Sequence, residues 1–213
     1  LQIPEPGAYL DLVEQNSVIV DQEERRARIL TQIQAVAEQL GGQVDMDEDL
    51  LTEVVYLVEY PTALSGAFDP RYLELPPELV ITPMRDQQRY FPVRDAQGRL
   101  LPRFITVRNG DDYGLDQVAA GNQRVLAARL ADAAFFYQED LRQVLDQNVE
   151  KLAAVVFHEK LGSLRQKVGR IASLAECIGR QLGYSELELA QTRRAAYLAK
   201  ADLASHVVYE FPE

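Results

Sequence analysis

The 213 residues include no tryptophan, one cysteine, two histidines and two methionines, and each scarcity excludes some chemistry. A lone thiol, Cys177, cannot close an internal disulfide, which fits a reducing compartment such as the cytoplasm. It falls near the apolar face of a helix with no partnered base, so a buried structural thiol is expected rather than a nucleophile. His158 and His206 stand far apart, and no Cys-x-x-Cys or His-x-x-x-His pair accompanies them. A zinc site is therefore not expected. "LSGAF" and "LGGQV" lack the lysine or the spacing of a phosphate loop. No apolar run approaches the roughly 18 residues of a membrane span. The first residues show no basic segment leading into an apolar one. The chain starts at Leu1 and stops after "EFPE", and reads as a piece cut from a longer protein.

Basic residues are also scarce at the start. Residues 1–80 hold four Lys/Arg against sixteen Asp/Glu, a net of −12, whereas residues 81–213 hold eighteen against seventeen, a net of +1. The overall net charge of −11 argues against a simple nucleic-acid binder. Within 81–108, however, six arginines (Arg85, Arg89, Arg94, Arg99, Arg103 and Arg108) stand against two aspartates. A local basic patch on an acidic protein can engage a polyanion. Arginines on a solvated hairpin give the same pattern, so both readings stay open here. Asp45, Asp47, Glu48 and Asp49 read as a solvated helix start, not as an acid/base pair.

The order of elements is that of an α+β chain. Residues 21–40 form a charged amphipathic helix stopped by Gly41-Gly42. "EDLLTEVVYLVEYP" is a helix that ends, or turns extended, before Pro61. "YPTALSGAFDPRYLELP" reads as loop with short strands, and "PPELV" as a helix start. "QRYFPVRDAQGRLLPRFITVRNG" has the pattern of a hairpin, with Pro92 and Pro102 assigning its runs to sheet edges or strand starts. From Leu115 almost everything reads as helix. Leu164, Val168, Ile171, Leu174, Ala175, Ile178 and Leu182 share one helical face, and Ser185 with Glu188 makes a capping box for the next helix. A boundary near Asn148 to Val155 divides the chain into a mixed region, 1–150, and a helical region, 151–213.

The helix "GNQRVLAARLADAAFFYQEDL" places Leu126, Leu130, Ala133, Tyr137 and Leu141 on one apolar stripe. Phe135 and Phe136 project from its far side and flank, which predicts a second core to cover them. Arg129 and Asp132, at i and i+3, would then pair at the seam, all four residues having a structural role. Arg124 projects away from the stripe, toward solvent or RNA.

A resemblance runs in order from about Val18 to Glu213. It is carried by "ERRARI", "DEDLLTEV", "LVEYPTALSGAFD", "ITPMRDQQRYFPVRD", "GNQRVLAARLADAAFFYQEDL", "VEKLAAVVFHEKLGSLRQKVGRI" and "AAYLAKADLASHVVYEFPE". These motifs together resemble the β-subunit family of bacterial heteromeric glycyl-tRNA synthetases, of which this sequence covers an internal portion. The resemblance implies a mixed α/β region similar to the editing-domain fold of phenylalanyl-tRNA synthetase β subunits. It also implies the start of an all-helical HD-like domain. It assigns the aminoacylation site, with its ATP and magnesium, to the α subunit, leaving no cofactor in this portion. The implied partners are that α subunit and tRNA(Gly), without membrane or DNA, in the cytoplasm.

An active HD site needs an adjacent His-Asp to hold a metal that activates water. In "AAYLAKADLAS" that pair would fall at Ala199-Lys200, where one side chain has no ligand atom and the other is a cation. Asp202 is two positions out of register, Leu164 stands near the expected upstream histidine, and His158 lies six residues early. The expectation is a retained fold without its metal site, hence no catalytic and no metal-binding residue. The nucleic-acid contacts are expected from Arg85, Arg89, Arg94, Arg103 and Arg124, with Arg165, Lys167 and Arg170 of "RQKVGR". The alternative is a hydrolase, either an editing-like deacylase or an HD-type phosphohydrolase.

Overall fold

Local signals set the first long helix. Asp21 accepts the backbone N–H of Glu23 at 2.7 Å and of Glu24 at 3.3 Å, and Gly41 leaves the helix at φ +66°. The stop at Gly41 is the expected one, and Asp21 supplies the cap at the start. The structure is a computed structural model describing residues 2–212, and it divides into two units, Leu1–Asp132 and Ala133–Glu213. Among the described residues no helix is long and apolar enough to cross a membrane.

The first unit runs α1 (Tyr9–Glu14), α2 (Gln22–Gln39), α3 (Glu48–Leu57), β1 (Pro61–Ala67), α4 (Pro77–Thr82), β2 (Phe91–Arg94) and β3 (Leu100–Asn109). It then enters α5 (Leu115–Leu141). Asp47 caps α3 by accepting from the N–H groups of Asp49 and Leu50, so the acidic run is a helix start as expected. The three strands form one antiparallel sheet in the order β1-β3-β2. Ile29, Ile33 and Ala37 of α2 and Leu51, Val54 and Val55 of α3 cluster with Phe91, Val93 and Ile105 of the sheet in one buried core.

Two sequence expectations change in this sheet. "PTALSGA" is a single continuous seven-residue strand, not loop with short strands. Its residues have weak strand propensity, so pairing with β3 supplies the order that local preference lacks. Gly66 stands opposite Phe104, and a Cβ there would come within 2.2 Å of the Phe104 ring. Tyr90 stacks on that ring with centroids 4.5 Å apart. Pro92 does lie in an edge strand, but Pro102 lies in the central one. It is tolerated there because β3 carries extra residues between Leu100 and Phe104, where its register with β2 shifts, so the missing N–H interrupts no regular pairing with β2. Two glutamines satisfy the backbone of β1: Ala63 N–H donates to Gln32 at 2.6 Å and Ala67 N–H to Gln123 at 2.9 Å. Side chains that occupy these groups blunt the strand as a template for another chain.

The second unit contains the end of α5, then α6 (Leu145–Lys151), β4 (Val156–His158), β5 (Gly162–Ser163), α7 (Leu164–Gln181), α8 (Glu186–Leu198) and α9 (His206–Glu210). Its core joins Val149, Leu152, Val168 and Ala201. Ser185 and Glu188 form the expected capping box, and Ser163 with Gln166 forms another. This unit begins at Ala133, earlier than the boundary expected near 148–155, because the last turns of α5 are tied into it. Asp140 accepts from the backbone N–H of His206 at 3.0 Å and of Val207 at 2.8 Å. The β4–β5 hairpin interrupts a stretch read as helix. Along α7, Leu164 and Val168 meet the core, while Leu174, Ile178, Leu182 and Cys177 are exposed. The expectation of a buried thiol is therefore corrected: helical periodicity identifies an apolar face but not how far a core extends along it.

Candidate nucleic-acid interface

The arginine-rich segment of the first unit is already engaged by carboxylates. Arg85 donates to both oxygens of Asp86, at 2.7 and 3.1 Å, with Asp47 at 4.0 Å. Arg89, at φ +60°, donates to Glu53 at 2.6 Å and to the Asp86 carbonyl. Arg94 pairs with Asp45 at 2.9 Å and Arg99 with Asp95 at 2.7 Å, while Arg108 lies 3.7 Å from Asp111. Arg103 is exposed and, among the described residues, has no ion-pair partner. The acidic first third thus supplies Asp45, Asp47 and Glu53 to the cations that follow it. The basic segment is thereby largely neutralised, while most of the acidic residues of 1–80 stay unmatched by it.

On α5 the apolar stripe holds in part: Leu126, Leu130 and Ala133 are fully buried, and Leu141 is exposed. The expected seam pair is absent. Arg129 and Asp132 are both exposed and make no ion pair with each other. The i,i+3 spacing permits contact, but two solvated charges gain little by it. Phe135 is 59% exposed, so it fills no second core. Phe136 alone is covered, stacking on the His206 ring at 6.0 Å with Phe135 edge-on at 5.6 Å. Arg124 is exposed.

In the second unit the hairpin and α7 enclose an open groove of about 950 Å³, bordered by Glu159, Lys160, Gly162, Gln166, Gly169 and Arg170. Its geometry follows from the turn. Gly162 has φ +81°, and a Cβ there would fall 1.6 Å from Gln166 Oε1. Without that Cβ, Gln166 reaches back to accept the Ser163 N–H at 2.9 Å while Ser163 Oγ accepts the Gln166 N–H at 3.3 Å. His158 Nδ1 accepts the Lys160 N–H at 3.1 Å, closing the other side of the turn. Lys167 Nζ sits 3.5 Å from the centre of the Phe157 ring. Arg165 pairs with Glu150 at 3.3 Å and lies over the Tyr197 ring at 5.3 Å. Lys160, Lys167 and Arg170 make no ion pair among the described residues. Lys160 escaped the sequence reading; the β-prone "VVF" followed by "KLG" was the available signal for this hairpin.

A second groove, between α7 and α8, is different. Arg193 and Arg180 both engage Glu176, and Arg194 engages Asp146. Hydrogen bonds from Arg193 first, then Arg180, hold the Glu176 carboxyl below the usual range, and that from Arg194 does the same for Asp146. These guanidinium groups are neutralised where they stand. Where the resemblance would set a His-Asp pair, Ala199 is the C-cap of α8, Lys200 follows it, and Asp202 is exposed in the next short turn. Leu164 packs against the core and offers no ligand atom.

The whole chain, residues 1–213, matches the family described as glycyl-tRNA synthetase beta subunit. The glycine–tRNA ligase beta subunit of Moorella thermoacetica is 54% identical over 212 residues, covering 100% of this chain and 30% of that protein. Its counterpart in Clostridioides difficile is 52% identical over 205 residues, 96% of this chain and 30% of that protein. That of Bacillus subtilis is 47% identical over 213 residues, 100% of this chain and 31% of that protein. The chain therefore spans about a third of the length of these relatives. With an end-to-end match and identities near one half, the chain belongs to the glycyl-tRNA synthetase beta subunit family.

Proposed function

We propose that this chain is a tRNA-recognising and scaffolding portion of a glycine–tRNA ligase β subunit and carries no aminoacylation chemistry itself. In the assembled cytoplasmic enzyme, an α subunit would join glycine to tRNA(Gly) using ATP and magnesium, and this portion would hold the tRNA. The relatives carry the name of that ligase's beta subunit. The observation that carries the RNA-binding reading is the pair of cations without an ion pair among the described residues, Lys160 and Arg170, bordering one open groove, with Lys167 next to it on α7 over the Phe157 ring.

The first unit, a small sheet backed by helices, is proposed as a relative of the phenylalanyl-tRNA synthetase editing-domain fold. The second is proposed as the beginning of an HD-like helical domain. Ala199 and Lys200 favour a scaffold over a phosphohydrolase, since neither side chain can ligate a cation.

Binding of tRNA(Gly) to the chain across a salt series tests this reading. Affinity should fall log-linearly with salt as counterions are released. Absence of salt-dependent binding would overturn it. The chain alone should catalyse no glycine-dependent pyrophosphate exchange, and exchange activity would equally overturn the assignment of chemistry to the α subunit.

A further inference from the structure

We infer that the groove between the β4–β5 hairpin and α7 takes unpaired ribonucleotides, so that a single-stranded part of the RNA lies there. This rests on the tRNA-binding reading and specifies which kind of RNA element the site accepts.

Three observations converge. Lys160 and Arg170 border the groove and Lys167 lies just outside it; none carries an ion pair among the described residues, and Glu159 is the single described carboxylate bordering the groove. In the α7–α8 groove, by contrast, Arg180, Arg193 and Arg194 are all held by carboxylates. Apolar surface accompanies the cations: Leu161 and Leu174 border the groove and are exposed, and on the adjoining hairpin strand Phe157, with Lys167 over one face, is still 39% exposed. A duplex hides its base faces in the stack, so it could use the cations but not the aromatic ring. Unpaired bases use both, stacking on the ring while their phosphates meet the cations. Finally, Gly169 borders the groove with nothing within 4 Å of where its Cβ would stand. The helix backbone is therefore open to close approach at that point.

Gly169 also supplies a clean test, because a side chain there enters open space rather than the fold. Fluorescence anisotropy with a short labelled unpaired oligoribonucleotide, and with a duplex of the same length, should show tighter binding of the unpaired strand. Lys160→Ala with Arg170→Ala should reduce the slope of log affinity against log salt by about 1.4, at about 0.7 for each single-strand phosphate contact. Phe157→Ala should weaken binding by about tenfold through lost stacking. Gly169→Glu should weaken it more than Gly169→Gln, since the two differ in charge rather than size. Adenosine monophosphate or inorganic phosphate at equal ionic strength should displace the strand poorly. Circular dichroism melting of each variant checks that the helices remain. Equal affinity for duplex and unpaired strand, or unchanged slopes in the variants, would overturn the inference. So would variants that lose α-subunit binding while keeping the oligoribonucleotide, which would assign the groove to protein. If the double variant loses the oligoribonucleotide effect but the parent never binds tRNA(Gly), the proposed function fails instead. If tRNA(Gly) binds every variant with its full salt dependence, the function stands and the groove assignment falls.

Discussion

At the scale of single residues, two glycines show how context decides the sign of the same substitution. At Gly66 an added methyl meets the Phe104 ring at 2.2 Å, whereas at Gly169 it meets nothing. Gly66→Ala should destabilise the first unit by on the order of 1–3 kcal/mol through overpacking. Gly169→Ala, inside α7, should stabilise the second by about 0.5–1 kcal/mol by restricting the unfolded chain. Urea unfolding midpoints of the two variants should move in opposite directions. Tyr90 gives a pH-dependent case. Burial against Phe104 pushes its hydroxyl up to about 12. The folded value lies above the unfolded one of about 10, so its full contribution is present below pH 10. It is lost as pH rises toward 12, at a cost on the order of 2 kcal/mol. Tyr90→Phe should remove that part of the alkaline loss, read as a shallower decline of the unfolding midpoint with pH.

At the scale of elements, α5 divides its work between two ends. Arg129 and Asp132 face solvent without pairing, so Arg129→Ala should shift stability by no more than about 0.5 kcal/mol. Asp140, one turn beyond Phe136, should matter far more. Burial opposes its ionisation, but bonds from the Val207 and His206 N–H groups and the His206 ring outweigh burial and hold its carboxyl below the usual range. Asp140→Ala strands two backbone donors at the start of α9 and should cost on the order of 2 kcal/mol. Because the folded value is depressed, this stabilisation is present above the unfolded carboxylate value and disappears as pH falls through the folded one. Thermal melts of Asp140→Asn should therefore show a flatter acid limb than the parent. An unchanged acid limb would mean that Asp140 contributes little beyond its neutral hydrogen bonds.

At the scale of the whole chain, electrostatics is organised by what folding brings together. The net charge of −11 and the arginine-rich segment oppose each other when read along the sequence. In space Asp45 meets Arg94 and Glu53 meets Arg89, so much of that basic potential is spent inside the first unit. An arginine already neutralised releases few counterions on meeting a phosphate. Arg85→Ala with Arg89→Ala should accordingly change the salt slope of tRNA binding much less than Lys160→Ala with Arg170→Ala, measured side by side.

The sequence by itself determined the locally encoded features. Asp21 and Gly41 bounded α2, Ser185 and Glu188 started α8, and the ordered motifs carried the family. Each cap or stop depends on groups within four or five residues of one another, so composition and spacing suffice to read it. Tertiary structure alone decided that "PTALSGA" is a strand, since its order comes from pairing with residues 103–109. It also decided which arginines stay available, because Arg89 finds Glu53 across 36 positions and Arg94 finds Asp45 across the sheet edge. Phe135 is exposed although its spacing predicted a second core, because a helical face becomes a core only when another element covers it. Strand register, ion pairing and burial are settled by distant segments meeting, and periodicity within one segment carries no information about that meeting.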